Sequence, residues 1–145
     1  MSEKYDVIER ARQAGYLRVF LQAVESAELT KTLKGAGPYT IFAPIDDAFM
    51  RVPKPKLEAL FKIENRESLL SLLRYHIILG NLPTRELKRL DEIKNAKGDV
   101  LRIDSRLGLW VNEGQVLTAD LVASNGVLHA IDAVLTPQTQ VAGAS

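Results

Sequence analysis

Apolar residues in the first third of the chain recur at helical spacing. Positions 5, 7, 8, 11 and 14 form one set and positions 17, 20, 21 and 24 form a second, and such a repeat is typical of amphipathic helices. Gly15 separates the two predicted helices. Shorter helical patterns follow at Leu29 to Leu33, which Gly35 closes, and at Arg66 to His76, which Asn65 is predicted to cap. Thr84 is predicted to cap a further one-turn helix that runs through Leu90. The first half of the chain is therefore predicted to be mainly helical.

The second half of the chain changes to a period of two. Val100 to Asp104 alternates apolar and polar residues, Asn112 to Gln115 has the composition of a hairpin turn, and Val116 to Ser124 is a further strand region. Two earlier runs, Tyr39 to Ala43 and Ile77 to Leu79, also have strand character. Strands that follow a helical half predict an α+β fold, with helices packed on a mostly antiparallel sheet or sandwich.

The last strand is the most strongly marked stretch of the sequence. Asn125 and Gly126 form the dipeptide most typical of a type I′ hairpin turn, in which both central residues have positive φ. The residues that follow, VLHAIDAVL, are apolar on both faces, so we expect the strand to be covered on both faces and to end at Pro137. Only His129 and Asp132 interrupt it, and each needs a buried partner.

Composition indicates one globular domain. The 145 residues are 46% hydrophobic and 26% charged, which are ordinary values for a globular domain. The last eight residues are small and polar, so we predict a domain at residues 1–137 and a disordered tail at residues 138–145. A net charge of +1 gives no field that would attract nucleic acid or anionic lipid. There is no cysteine, no signal peptide in MSEKYDVIERARQ and no apolar run long enough to span a membrane. We expect a soluble chain.

Residues capable of catalysis are few. The candidates are His76, His129, Asp46, Asp47 and Asp132, but no nucleophile elbow, phosphate loop or H-E-x-x-H spacing accompanies them. His129 and Asp132 are three apart on a strand and point to opposite faces. We expect both histidines to be satisfied core residues. Asp46 is predicted to cap a short helix and Asp47 to lie in its first turn. The sequence predicts no catalytic residue, metal or cofactor.

Binding by the surface is the remaining possibility. Tyr75 and His76 lie where a predicted helix gives way to a strand, and both are amphipathic. Asp120 and Leu121 lie just before the last turn, and an exposed acid beside an exposed apolar residue makes a small, recognisable epitope. Basic residues in KRLDEIKNAK are interrupted by acids and are interpreted as a solvated face. The predicted partner-binding site consists of Tyr75, His76, Asp120 and Leu121.

Two segments resemble the signature motifs of fasciclin-type domains. They are GPYTIFAPIDDAF, from Gly37 to Phe49, and SNGVLHAIDAVLTP, from Ser124 to Pro137, and LLRYHIILG between them is similar to the family's Tyr-His segment. The resemblance covers residues 5–137. One departure is Ile45, which stands before Asp46-Asp47 where the family usually has threonine. The resemblance implies a compact, wedge-shaped α+β fold with a seven-stranded β region, in which the two motifs form adjacent core strands.

The resemblance also implies roles for individual residues. Asp46, Asp47 and His129 become structural groups that hold the core strands and the following helix. Animal relatives have integrin-binding roles assigned to an Asp-Ile pair before the second motif and to the Tyr-His segment; the aligned residues are Asp120-Leu121 and Tyr75-His76.

The function implied by the family is adhesion. We expect a non-catalytic, monomeric, microbial single-domain member, secreted or at the cell surface, although a cytoplasmic location is not excluded. Its partner would be a cell-surface or matrix protein or a glycan rather than an integrin. The alternative is a small-ligand-binding domain or a hydrolase that uses Asp47, His76 or His129. It requires at least two of these side chains to face one cavity with perturbed pKa values.

Overall fold

The computed structural model describes residues 5–136 of the chain. Its helices are α1 (Val7–Ala14), α2 (Arg18–Ser26), α3 (Thr30–Leu33), α4 (Asp46–Met50), α5 (Lys54–Leu60), α6 (Arg66–Tyr75) and α7 (Thr84–Leu87), with a 3₁₀ turn at Ile63–Asn65. Its strands are β1 (Tyr39–Pro44), β2 (Ile77–Leu79), β3 (Glu92–Lys94), β4 (Val100–Asp104), β5 (Trp110–Val111), β6 (Gly114–Ala123) and β7 (Gly126–Ile131). The predicted strand end at Pro137 and the predicted tail at 138–145 lie outside the described residues.

The strands of residues 5–136 form one seven-stranded sheet in the order β2-β1-β7-β6-β5-β4-β3. The pair β1 and β7 is parallel, and the other five pairs are antiparallel. This confirms the predicted α+β class with a mostly antiparallel sheet. It also places the two motif strands side by side, with Tyr39 opposite Gly126 and Pro44 opposite Ile131.

Both faces of the sheet are covered. On one face, Ile41 and Leu128 pack against the apolar sides of α1, α2 and α6. On the other face, Phe42 and Ile131 join a second cluster with apolar residues of α7, β4 and β5. Side chains alternate along a strand, so a strand that serves both clusters must be apolar on both faces. All six residues of β7 are buried, as the sequence predicts.

The turn before β7 differs from the predicted type I′ turn. Ala123 pairs with Gly126, so the turn is centred on Ser124 and Asn125. Asn125 is not among the described non-glycine residues with positive φ. Gly126 is instead the first residue of β7, where an added Cβ would collide with the carbonyl oxygen of Tyr39. Glycine is required there by the close approach of β1 to β7.

β7 is also shorter than predicted. It ends at Ile131, and Asp132 lies just beyond it at intermediate exposure. The carboxylate of Asp132 accepts a hydrogen bond from the backbone N of Gln115 at 2.8 Å, and its own N–H donates to the Gln115 carbonyl at 3.1 Å. The hydrogen-bond partner that the sequence requires for this acid is therefore the main chain of Gln115, near the start of β6. Leu135 remains in the core without being part of the strand.

Helix α1 has well-defined ends. The carboxylate of Asp6 accepts from the N–H of Glu9 at 2.9 Å, and the carboxylate of Glu9 accepts from the N–H of Asp6 at 3.1 Å. This capping box satisfies two donors that the helix leaves unpaired. Gly15 ends the helix in the left-handed conformation, with φ of 86°, as predicted.

Three other predicted caps are wrong in the same way. Asp46 and Thr84 are the first residues inside their helices rather than caps. The carboxylate of Asp46 accepts from the N–H of Val19 at 2.9 Å and so ties α4 to α2. Asn65 precedes α6, but its side chain donates back to the carbonyl of Ala59 at 2.7 Å. In each case a long-range or backward hydrogen bond replaces the local cap.

Strand β3 was missed by the sequence pattern. Glu92, Ile93 and Lys94 pair antiparallel with Arg102, Leu101 and Val100. The segment lies within KRLDEIKNAK, where acids among the basic residues predict a solvated charged face. Charged residues on a short strand at the edge of a sheet discourage pairing with other chains, so the same residues form an edge strand.

Candidate functional site

Tyr75 and His76 are buried at the end of α6. Each is 1% exposed. The carbonyl of Tyr75 accepts from Nδ2 of Asn95 at 3.0 Å, and its hydroxyl oxygen accepts from Nδ2 of Asn112 at 3.2 Å. The expectation that this segment presents an exposed patch is wrong, because the junction between α6 and β2 lies under the second apolar cluster.

Both ring nitrogens of His76 are occupied by main-chain groups. Nε2 accepts a hydrogen bond from the N–H of Leu135 at 2.8 Å. Nδ1 lies 2.8 Å from the carbonyl of Leu72 and donates to it, since Nε2 must carry the lone pair. Burial lowers the pKa of His76 to about 4, against the opposing effect of the Leu72 carbonyl. The ring is therefore neutral and bridges α6 to the segment after β7.

Leu121 and Asp120 are adjacent but have opposite environments. Leu121 is 8% exposed and packs in the cluster beneath the helices, whereas Asp120 is exposed. Alternation along β6 explains the difference. The predicted exposure of Leu121 is therefore wrong, and of the four predicted partner-binding residues only Asp120 reaches the surface.

β6 is irregular around Asp120. Opposite β7, its register shifts between Val116 and Thr118 and again between Thr118 and Leu121. Each shift places an extra residue in β6, as in a β-bulge. Asp120 adopts the left-handed conformation, with φ of 59°, which Asp tolerates better than most residues. The bulges turn Leu117 outward at 53% exposure, and Val122 is 45% exposed.

A segment at residues 80–84, the 80–84 segment, crosses the sheet near Asp120 and is held by side chains of both motif strands. The hydroxyl of Thr40 donates to the carbonyl of Gly80 at 2.7 Å and accepts from the N–H of Leu82 at 2.8 Å. His129 Nε2 lies 2.9 Å from the carbonyl of Leu82. Thr40 and His129 are both 0% exposed, so these contacts are the hydrogen bonds that their burial requires.

Asp120 also holds the 80–84 segment, and together with Thr40 and His129 it forms what is called here the anchoring cluster. Its two carboxylate oxygens accept from the N–H of Thr84 at 2.9 Å and from the Thr84 hydroxyl at 2.8 Å. Partial burial opposes ionisation of Asp120, but the hydrogen bonds from Thr84 and the electrostatic interactions with His129 and Arg85 outweigh it and lower its pKa. Asp120 is thus an ionised, oriented acid. Each oxygen retains acceptor capacity toward solvent.

His129 connects the anchoring cluster to the core. Its ring stacks on Phe42, with centroids 5.8 Å apart, and its Nδ1 accepts from the N–H of Asp120 at 3.2 Å. That bond leaves the proton on Nε2, where it is donated to Leu82. Burial lowers the pKa of His129, against the raising effects of the Leu82 carbonyl and the Asp120 carboxylate. The residue is neutral and hydrogen-bonded at both nitrogens.

Asn125 joins three elements from its place in the turn between β6 and β7. Its Oδ1 accepts from the N–H of Val7 at 2.9 Å, and its Nδ2 donates to the carbonyls of Leu33 and Gly35 at 2.8 and 2.7 Å. It therefore satisfies a free donor at the start of α1 and a free acceptor at the end of α3. Its own carbonyl accepts from the N–H of Tyr39.

The arrangement required by the alternative function is not found among residues 5–136. Asp47 is exposed in the first turn of α4, and both histidines are bonded to main-chain groups. Five surface cavities formed by these residues stand out, and none of the five is lined by Asp47, His76 or His129. Within the same part of the chain, no cluster of three or more acids and histidines could hold a metal ion. No described helix is long and apolar enough to cross a membrane.

Sequence comparison identifies relatives along most of the chain. "Protein sll1483" of Synechocystis sp. is 34% identical over 132 residues, which is 90% of this chain and 73% of that protein. "Transforming growth factor-beta-induced protein ig-h3" of Sus scrofa is 37% identical over 120 residues, which is 82% of this chain and 17% of that protein.

The fold also matches a solved structure. A FAS1 domain pair from the insect cell adhesion molecule fasciclin I superimposes with a TM-score of 0.84, over 96% of this chain and 53% of that chain, at 15% sequence identity. That likeness concerns the fold. The family model described as "Fasciclin domain" matches residues 15–137, which is most of the sequence. This chain belongs to the fasciclin domain family.

Proposed function

We propose that the chain is a non-catalytic adhesion domain, secreted or at a cell surface, that binds a protein, matrix or glycan partner as a monomer. Domains of this family occur in adhesion proteins, and the solved domain pair of similar fold comes from an insect cell adhesion molecule. The neutral histidines, each hydrogen-bonded at both nitrogens, support a structural rather than a catalytic role for the residues that the two motifs bury.

The binding surface that we propose is the outward side of β6, called here the β6 surface and defined by Leu117, Asp120 and Val122. The observation that carries it is the exposure of two branched apolar side chains, 53% and 45%, on either side of an oriented carboxylate. Apolar side chains exposed beside a charge that fixes register are the usual elements of a small recognition site. One short surface gives modest affinity, which multivalent display would raise.

Tyr75, His76 and Leu121 have a different role in this proposal. They lie beneath the surface and hold its supporting strands in place, so their substitution would act on stability first. The anchoring of Asp120 by Thr84 makes the acid part of a rigid surface. A rigid site loses less conformational entropy when a partner binds.

An adhesion assay tests the β6 surface. Plates coated with the purified chain are exposed to cells of the organism that expresses it. In a second arm, they are exposed to isolated surface material from those cells. The double substitution Leu117→Ser and Val122→Ser is expected to weaken binding at least about tenfold. Ile63→Ser, at a residue 79% exposed on the 3₁₀ turn, is the matched control and should bind normally.

Asp120→Asn separates charge from anchoring. Asparagine tolerates positive φ and can accept from the N–H of Thr84, so the fold is expected to persist while the charge is lost. Reduced adhesion with an unchanged melting temperature supports the proposal. Wild-type adhesion by both the double variant and Asp120→Asn would contradict it.

A further inference from the structure

A polar groove lies where β4 ends and β5 begins, and it shares no residue with the β6 surface. It consists of two adjoining cavities of about 970 Å³ and 460 Å³, which share Asp104, Arg106 and Asn112 as lining residues. Trp110 lines the smaller cavity, and Asp91 lines the larger. These volumes fall in the range of ligand-binding clefts. None of these residues belongs to the anchoring cluster.

Several walls of the groove are fixed by internal hydrogen bonds. The guanidinium of Arg106 donates to both carboxylate oxygens of Asp104, at 3.1 and 2.9 Å. The indole N–H of Trp110 donates to the carbonyl of Leu107 at 3.1 Å, and Oδ1 of Asn112 accepts from a backbone N–H at 2.7 Å. The partly buried indole ring therefore has a set orientation, whereas the ion pair of Asp104 and Arg106 lies at the exposed rim of the groove. A set orientation reduces the ordering cost of binding.

Two charged side chains in the groove have no partner. Asp91 and Arg102 are exposed and both line the larger cavity. Among the hydrogen bonds and ion pairs of residues 5–136, none involves the carboxylate of Asp91 or the guanidinium of Arg102. Their hydrogen-bonding groups are available to a ligand.

We propose that this groove binds a neutral oligosaccharide. A sugar ring has an apolar face of C–H groups that packs on an aromatic ring, and its neighbouring hydroxyls match the paired atoms of carboxylate, amide and guanidinium groups. Trp110 supplies the aromatic surface, and Asp91 and Arg102 supply free planar groups. The two cavities adjoin through three shared lining residues, so together they offer room for more than one sugar ring.

The charges of the groove select against polyanionic glycans. Three carboxylates, of Asp91, Asp104 and Glu113, face two guanidiniums, of Arg102 and Arg106. The lining therefore carries a net charge of −1, from two positive and three negative groups, and would repel sulfated or uronate-rich chains. The inference rests on the proposed adhesion function only in naming a class of partner, since it uses a site separate from the β6 surface.

The single tryptophan of the chain makes the test direct, because any change in intrinsic tryptophan fluorescence reports on Trp110. The full chain is titrated with cellohexaose, mannohexaose and chitohexaose, and separately with a heparin hexasaccharide. We expect a saturable change with at least one neutral hexasaccharide, with Kd on the order of 0.1–1 mM, and none with heparin. No saturation with any neutral sugar, or tighter binding of heparin, would overturn the proposal.

Matched variants locate the site. Asp91→Ala and Arg102→Ala remove exposed groups without stranding a described partner, and each is expected to weaken sugar binding at least about fivefold. Lys94→Ala, on the neighbouring edge strand and outside the groove, should leave affinity unchanged. Equal affinity in all three variants would show that the sugar binds elsewhere and would refute the assignment.

The same proteins separate this inference from the proposed function. The double variant at Leu117 and Val122 should bind sugar normally while losing cell adhesion. If sugar titrations fail but adhesion still depends on the β6 surface, the groove proposal is wrong and the adhesion proposal stands. If sugars bind but that double variant adheres normally, the reverse holds.

Discussion

Protonation of the buried His76 is predicted to destabilise the folded chain in mild acid. The imidazole is buried and neutral, and its Nε2 accepts a hydrogen bond from the N–H of Leu135. Protonation would remove that acceptor and place a charge in the apolar cluster. Burial lowers the pKa of His76 from 6.5 to about 4. The unfolded chain therefore binds more protons than the folded chain between these two pH values, and stability falls as the pH decreases through this window.

The magnitude follows from the pKa values. At pH 4.5, about two units below the unfolded pKa, protonation stabilises the unfolded chain far more than the folded chain. His76 alone should therefore lower the free energy of unfolding by about 2–3 kcal/mol between pH 7.5 and pH 4.5. That is a large part of the typical stability of a domain. His129, whose pKa is also lowered, acts in the same direction.

The comparison of wild type with His76→Gln isolates this contribution. Glutamine does not titrate, and its carbonyl can accept from Leu135, but it cannot also donate to Leu72. The variant should be less stable than wild type by about 1–3 kcal/mol at pH 7.5. Effects of His129 and of the carboxylates cancel in the difference. The stability advantage of wild type should shrink by about 2–3 kcal/mol, and vanish or reverse, at pH 4.5.

Urea unfolding at several pH values measures the difference. Transitions are followed by far-UV circular dichroism, and the free energies come from linear extrapolation with the slopes compared between proteins. A gap between wild type and His76→Gln that is the same at pH 7.5 and pH 4.5 would refute the reasoning. It would mean that His76 titrates near 6.5 in the folded chain and is not held neutral by its surroundings.

Two further substitutions test the polar groups of the second motif. Asn125→Asp replaces a donor to the carbonyls of Leu33 and Gly35 with a buried charge, and should cost on the order of 3 kcal/mol or more in urea unfolding; a loss below about 1 kcal/mol would contradict it. His129→Ala should lower stability by about 1–3 kcal/mol, because Leu82 loses its hydrogen-bond partner, and the 80–84 segment should show faster amide hydrogen exchange, whereas unchanged exchange there would contradict the anchoring role.

Local patterns were sufficient for most of the secondary structure. Spacing of apolar residues identified α1, α2 and α6, and alternation identified β4 and the region of β6, since both periods come from backbone geometry that neighbouring residues share. The run of apolar residues in β7 correctly predicted burial on both faces, because no other environment suits such a strand. The order of the three family motifs along the chain correctly predicted the fasciclin domain family. β3 escaped detection because a short charged edge strand has little periodicity to detect.

Only the tertiary structure decided which residues of the candidate site reach the surface. Tyr75 and His76 have the amphipathic character of surface residues, yet the second apolar cluster covers them. Asp120 is exposed on a bulged part of β6, on the side opposite to buried Leu121, and it is oriented by Thr84, a residue 36 positions away. Local sequence carries no signal for contacts at that separation.

Asn125 and Gly126, the dipeptide that dominates the sequence, show the same division. Their identities correctly marked a turn between two strands. The structural reasons for these two residues, however, are not local. Asn125 forms hydrogen bonds with residues of α1 and α3, at separations of 118 and 92 residues. Gly126 leaves room for the carbonyl of Tyr39. The sequence alone determined where most strands and turns lie, because backbone preferences act over a few residues. The tertiary structure decided why these two residues stand there, because their partners come from distant parts of the chain.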